Sequence, residues 1–345
     1  MTALEIVRVH PDDDVAHPGL FAAWYAAYAE AAAHGRGESA DVWQLEELRA
    51  ELASEGRERR SLAFAGLRSG AVVAAGCVEL PQLDNLRRAE VGVFTPPEHR
   101  RRGFGTALLE HLVEVVRAEG RTILGAEVRW PYDGGTDDQR AGVLFARSHG
   151  FDLVLEEVQR TLRLPVAEER LAELAGLAAE RHPAYRLRSW SGPVPEELLP
   201  GWAELSASLE TEAPTGDLAI EATTVDLAAV REAEDLQARQ GRRSVNAVAL
   251  DAAGQVVAYT QLMTTRHEPD RAYQWGTLVR RDHRGHRLGL AVKVAALRLL
   301  QTADYPAIGR VITWNAEVNE HMIAVNEALG FVPSERLGEF QKLLG

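Results

Sequence analysis

The stretch Pro96-Pro97-Glu98-His99-Arg100-Arg101-Arg102-Gly103-Phe104-Gly105-Thr106 joins three arginines to a Gly-x-Gly and runs directly into an apolar pattern at helical spacing. The preceding "RAEVGVFT" alternates like a strand, and proline, lacking an N–H, cannot continue it. The arginines and glycines therefore stand on a strand-to-helix turn. Unpaired N–H groups and the positive dipole end of a helix attract phosphate there, and glycines let an anion approach the backbone. Arg100, Arg101 and Arg102 add positive charge around the same cradle.

A solvated arginine run on a tight turn is the plain alternative, and a nucleic-acid patch is another. The acidic balance argues against the second. Net charge is −13, spread as 19 basic and 26 acidic side chains over residues 1–165 and 19 and 25 over the rest, so neither half is a basic nucleic-acid module. The turn is neither G-x-G-x-x-G with a ribose-binding acid nor G-x-x-x-x-G-K-[ST], so the dinucleotide and P-loop fingerprints are not met.

The elements that must position this turn occur twice. "RRDHRGHRLGLAVKVAAL" (280–297) repeats the first stretch at an offset of 184, setting Arg284 on Arg100, Gly289 on Gly105 and Gly276 on Gly92. "ARSHGF" (146–151) has its counterpart in "NEALGF" (326–331). Each half reads as a strand, two helices, a run of strands, the helix after the turn, a strand, a last helix and a closing strand. In the first half the helices are expected near 17–33, 42–54, 104–118 and 137–148. This interleaving predicts an α/β, layered α+β fold in two domains, 1–165 and 184–345, joined by a helical linker over 166–183 in which Leu171, Leu174 and Leu177 share helical spacing.

Arg100 to Gly105 resembles the R/Q-x-x-G-x-G/A pyrophosphate loop of the GNAT superfamily of acyl-CoA N-acyltransferases, and "HGF" and "NEALGF" resemble its closing helix. The whole chain is thus similar to a tandem GNAT protein of the actinobacterial type. The second copy departs from the loop pattern by placing Arg287 where the first glycine belongs. The resemblance implies two domains, each a mixed, mostly antiparallel sheet flanked by helices, with acetyl-CoA as cofactor.

It further implies that the cofactor arm pairs with an open strand edge, at Val93, Phe94 and Thr95 in the first half and Thr277, Leu278 and Val279 in the second. The loops would be Arg100 to Thr106 and Arg284, Gly285, His286, Arg287, Leu288 and Gly289. A strand N–H can donate to the thioester carbonyl as charge develops on it. The amine must be neutral to attack, and Glu90 stands where many members place the base that takes its proton; pairing with Arg87 or Arg88 is the competing use of that side chain. The second half has Gln274 in its place, which cannot accept a proton. The tyrosine that often protonates the departing thiolate is replaced by Ala146 and Asn326, leaving water or a residue such as Tyr132. Asn315 and Asn319 fall where the family sets an amide against the cofactor arm, although an asparagine there also serves as a helix N-cap.

The histidines show no metal-ligand spacing with carboxylates, and no metal is expected. Cys77 is the sole cysteine, which fits a reducing cytosol. No leader pattern or bilayer-length apolar run is visible, so a cytoplasmic protein with no membrane or nucleic-acid partner is expected. The expected reaction is acetyl transfer from acetyl-CoA to the primary amine of a small molecule or peptide. A non-catalytic acyl-CoA-binding regulator and an aminoacyl-tRNA-dependent transferase are the competing expectations.

Overall fold

The computed structural model describes residues 4–12, 18–302, 305 and 308–345, so the first residue of the helix expected over 17–33 lies outside the described residues. The chain forms two compact units: Met1–Glu156 with Gly216–Glu221 and Glu335–Gly345, and Glu157–Thr215 with Ala222–Ser334.

In the first unit the strands β1 (Glu5–Val9), β2 (Arg59–Arg68), β3 (Ala71–Pro81), β4 (Arg88–Phe94) and β5 (Ile123–Pro131) lie in sequence order, and β12 (Val332–Leu343) follows β5 through its residues from Glu335 onward. All neighbours are antiparallel except β4 and β5. The helices α1 (Leu20–Ala33) and α2 (Leu45–Leu52) cover one face, and α3 (Phe104–Ala118) and α4 (Ala141–Ser148) the other. Period-two alternation sorts the faces. Leu62 and Phe64 meet α3, whereas Ala63, Ala65 and Ala75 are small enough to seat Phe21, Trp24 and Tyr28 of α1.

The second unit repeats the plan with β6 (Asp152–Arg163), β11 (Arg310–Ala316), β10 (Arg271–Val279), β9 (Val256–Thr265), β8 (Arg242–Leu250) and β7 (Arg186–Ser191) in spatial order; β6 enters it from Glu157 onward. One face carries α5 (Glu168–Ala179), α9 (Leu288–Leu300) and α10 (Glu320–Leu329); the other carries α6 (Leu199–Ala207), α7 (Leu209–Glu212) and α8 (Leu227–Arg239). α5 is the helix expected over 166–183. Its Leu171, Leu174 and Ala178 are buried against α9, so it is a core element of this unit. That cover explains why α9 is apolar nearly all round, while α3 keeps Glu110, Glu114 and Arg117 on an outer face.

The units therefore cut the chain differently from the expected division at 165 and 184. The last strand of the first half pairs with β11 of the second, and the last strand of the second half pairs with β5 of the first.

Candidate functional site

The pairing pattern builds the same opening in both units. β4 pairs with β5 only at Arg88, Ala89 and Glu90, and β10 pairs with β11 only at Arg271, Ala272 and Tyr273. Beyond those residues the parallel strands diverge, leaving the edges at Val91–Phe94 and Gln274–Val279 without a partner on that side. In the second unit the β9–β10 ladder also shifts register between Gln274 and Thr277. A glycine follows at the same place in each strand: a Cβ on Gly92 would lie 2.6 Å from Cys77 Sγ, and one on Gly276 would lie 2.4 Å from the Tyr259 hydroxyl. Burial pushes the Cys77 thiol up to about 12, so it is a neutral packing group.

At the end of each open edge stands the turn. Arg100 Nε donates to Thr95 O at 3.1 Å and Arg284 Nε to Val279 O at 3.3 Å, so one arginine in each copy ties the turn to its strand. Two residues of each turn are left-handed, and their types are exchanged: Arg101 (φ 61°) and Gly103 (φ 84°) in the first, Gly285 (φ 85°) and Arg287 (φ 53°) in the second. The backbone path is thus kept although the glycine has moved by two residues. Neither α3 nor α9 has a side-chain N-cap, and a Cβ on Gly103 or Gly285 would meet nothing within 4 Å. Uncapped first-turn N–H groups beside open backbone fit a phosphate-bearing cofactor.

The side chains around these turns differ. Phe104 and Leu288 are core residues, so only their backbones are available to a ligand. Phe94 packs edge-to-face on Tyr28 at 4.8 Å between centroids, and Val93 joins the α3 core. Thr106 Oγ1 lies 3.1 Å from His149 Nε2, while His149 Nδ1 lies 2.9 Å from Phe145 O. A carbonyl only accepts, so Nδ1 carries the proton and Nε2 receives the threonine hydroxyl. Arg102 is exposed. In the second unit Arg287 turns away from its backbone, donating to Leu177 O at 2.6 Å, and His286 Nδ1 donates to Arg181 O at 3.0 Å. Arg284 and Arg281 are held by Glu212 Oε2 at 2.7 and 3.2 Å. Glu212 and Arg281 also line a cavity of about 300 Å³ with Ser208, Leu278, Arg280 and Asp282. Sequence reasoning passed over Glu212, since nothing local marks it as facing the turn.

Glu90 shares its face of β4 with Arg88 and Gly92 and forms an ion pair with Arg88. A Cβ on Gly125 would lie 2.1 Å from its carboxylate, so the glycine on β5 makes room for the pair. The Glu90 side chain is 35% exposed at the strand divergence. Burial of its carboxyl raises the pKa above the ordinary carboxylate range, Arg88 acts against this, and Glu127 and Glu79 reinforce it. Gln341 Oε1 accepts from Arg88 Nη1 at 3.3 Å and from Ala219 N at 3.0 Å, fastening the segment Gly216–Glu221 beside the pair.

The counterpart Gln274 is buried and spent: its amide donates to Thr260 Oγ1 at 2.9 Å and Gln261 O at 2.7 Å. Thr277 Oγ1 lies 2.6 Å from the same Thr260 hydroxyl. Asn319 caps α10, accepting from Met322 N at 3.2 Å. Asn315 instead accepts from the Asn326 amide at 2.5 Å, and Asn326 accepts from Lys293 Nζ at 2.9 Å. Ala146 is buried in the first core, and Tyr132 is an exposed ring stacked under the Arg336 guanidinium at 5.0 Å. No group of three or more potential metal ligands occurs among the described residues, and no helix among them is long and apolar enough to cross a membrane.

A search of curated protein sequences finds no significant match. Residues 22–151 match the sequence model of the acetyltransferase (GNAT) family. Over 99% of both chains the fold matches, with 27% identity and a TM-score of 0.79, a tandem GNAT protein from the clavulanic acid biosynthesis pathway solved without AcCoA. It also matches a GCN5-related N-acetyltransferase from Sphaerobacter thermophilus (15% identity, TM-score 0.66, 99% of this chain and 95% of that one). A putative acetyltransferase from Pyrococcus horikoshii shares the fold at 12% identity and TM-score 0.56, with 100% and 91% of the two chains covered. Residues 22–151 thus match the acetyltransferase (GNAT) family, and with its doubled strand opening and doubled turn the whole chain has the fold of a tandem GNAT protein.

Proposed function

We propose that the protein transfers an acetyl group from acetyl-CoA to a primary amine, and that the first unit performs the transfer. The observation that carries this reading is the divergence of β4 from β5 immediately after Glu90, with a free strand edge, an uncapped helix and a glycine-lined turn following it. Acetyl-CoA supplies an acyl thioester that an amine can attack. The residues Arg100 to Thr106 would hold its phosphates through backbone N–H groups, and Val93 to Thr95 would offer strand N–H and C=O groups to its arm. Glu90 would take the proton of the incoming ammonium. Its raised affinity for protons suits a base, and Arg88 keeps its carboxylate oriented.

The second unit would bind cofactor weakly or serve as a structural partner, because Gln274 has no proton-accepting group and Glu212 engages Arg281 and Arg284. Glu79, Glu90 and Glu127 together favour a cationic acceptor amine. Mixing the protein with acetyl-CoA and a panel of polyamines, aminoglycosides and basic peptides, while following free thiol, tests the proposal. Acceptor-dependent thiol release lost in Glu90→Gln is expected; no release above the background rate across the panel would overturn it.

A further inference from the structure

The second unit carries a buried polar chain where the first has only hydrocarbon. Lys293 is the sixth residue of α9, as Leu109 is of α3; Asn326 precedes Phe331 by five residues, as Ala146 precedes Phe151; and Asn315 lies five residues into β11, as Val128 lies five into β5. Leu109, Ala146 and Val128 all belong to one hydrophobic core. Their counterparts Lys293 and Asn326 are 1% and 0% exposed, while Asn315 is only partly covered. Three coincident exchanges of apolar for polar groups are costly to bury, and a network that satisfies itself in one direction gives them a purpose.

That direction follows from valence. While Lys293 is protonated its ammonium has donors and no acceptor, so Asn326 must turn its carbonyl to Lys293 Nζ. The Asn326 NH₂ then faces Asn315, whose carbonyl must accept it. What remains of the Asn315 amide is its NH₂. Asn315 lies three residues beyond Ile312, the last β11 residue paired with β10, on the stretch where the strands have diverged. The Asn326 and Asn315 orientations are thus dictated by a residue that reaches neither the strand edge nor solvent.

We infer that Lys293, acting through Asn326, is a positioning residue that sets the Asn315 amide with its N–H group outward, as a donor for an amide carbonyl of a pantetheine arm at the second unit. The ligand named here rests on the acyl-CoA reading above; the orientation does not. In this arrangement the second unit is equipped to hold the arm of the cofactor even though Glu212 engages the arginines of its turn.

Calorimetric titration of the full chain tests this, with Gly103→Val in the first unit to disfavour binding there and at pH 6, where Lys293 is protonated. The probes are CoA and 3′-phospho-ADP, which has the phosphates but not the amide-bearing arm. Lys293→Met and Asn315→Ala are each expected to weaken CoA binding about tenfold, as for one lost hydrogen bond together with its unpaired partner, and to leave 3′-phospho-ADP binding unchanged. The double variant should bind no worse than Asn315→Ala alone, because both changes remove the same contact. Lys293→Gln, which keeps a donor toward Asn326, should recover most of the affinity. Asn326→Asp retains a partner for Lys293 while accepting from Asn315, which inverts the Asn315 amide; it should fold and lose CoA affinity to the same extent even where Lys293→Met is unstable. Full CoA affinity in Asn326→Asp, or additive losses in the double variant, would overturn the relay. Absence of CoA binding in the unsubstituted second unit would instead overturn the ligand, and is seen without any change to the relay.

Discussion

Gly103 and Arg287 hold the same left-handed position ahead of α3 and α9, at φ 84° and φ 53°. The left-handed region costs a residue with a Cβ roughly 1–2 kcal/mol. In Arg287 this is offset by the bond of its guanidinium to Leu177 O. Arg287→Ala keeps the strain and loses the bond, whereas Arg287→Gly loses both. Thermal or urea unfolding should therefore find Arg287→Gly more stable than Arg287→Ala by about 1 kcal/mol, the reverse of their order in a helix interior. Equal stability would mean that the backbone relaxes out of the left-handed region.

Glu212 binds Arg284 and Arg281 at the turn of the second unit. An incoming pyrophosphate must compete with this carboxylate for the two arginines. Glu212→Gln should raise the affinity of the second unit for inorganic pyrophosphate up to about fivefold, the scale of a partly exposed ion pair, with a steeper dependence on salt. Unchanged affinity by calorimetry would remove Glu212 from the competition.

Glu90 pairs with Arg88 over Gly125. In its proposed role as general base it must be ionised, and its pKa lies above the ordinary carboxylate range, so kcat/KM should fall on acidification at a higher pH than an ordinary carboxylate would give. Glu90→Gln should lower turnover on the order of 10²-fold, abolish that acid limb, and leave CoA affinity nearly unaltered. Retention of the acid limb in the variant would assign it to another group.

Lys293 is buried, and burial lowers its ammonium pKa to about 7 from the ordinary 10.5. Between those values the unfolded chain holds a proton that the folded chain does not, so this residue makes stability rise with pH through the window and adds no slope below it. Chemical denaturation should show a rise that approaches about 1.4 kcal/mol per pH unit between pH 8 and 9, midway between the two values, in the unsubstituted protein relative to Lys293→Met. Parallel curves would show that Asn326 and the Phe331 ring, 5.7 Å from Nζ, keep the ammonium at its ordinary affinity.

The amino-acid sequence by itself determined the duplication, the strand-turn-helix units and the position of each turn. These rest on local patterns: alternation in "RAEVGVFT", prolines that end the strand, and apolar spacing that starts α3 at Phe104, where the structure begins it. The expected helices over 104–118 and 166–183 appear as Phe104–Ala118 and Glu168–Ala179 for the same reason. Tertiary structure alone decided strand partnership. β6 and β12 each follow the last helix of their half, so nothing local chooses β11 for one and β5 for the other; that choice depends on which edge each can reach. It also decided that Glu90 meets Arg88, that Glu212 reaches a turn some seventy residues downstream, and that Lys293 finds Asn326. Each of these is a contact between side chains distant in sequence or equally free to point elsewhere, and only packing removes the alternatives.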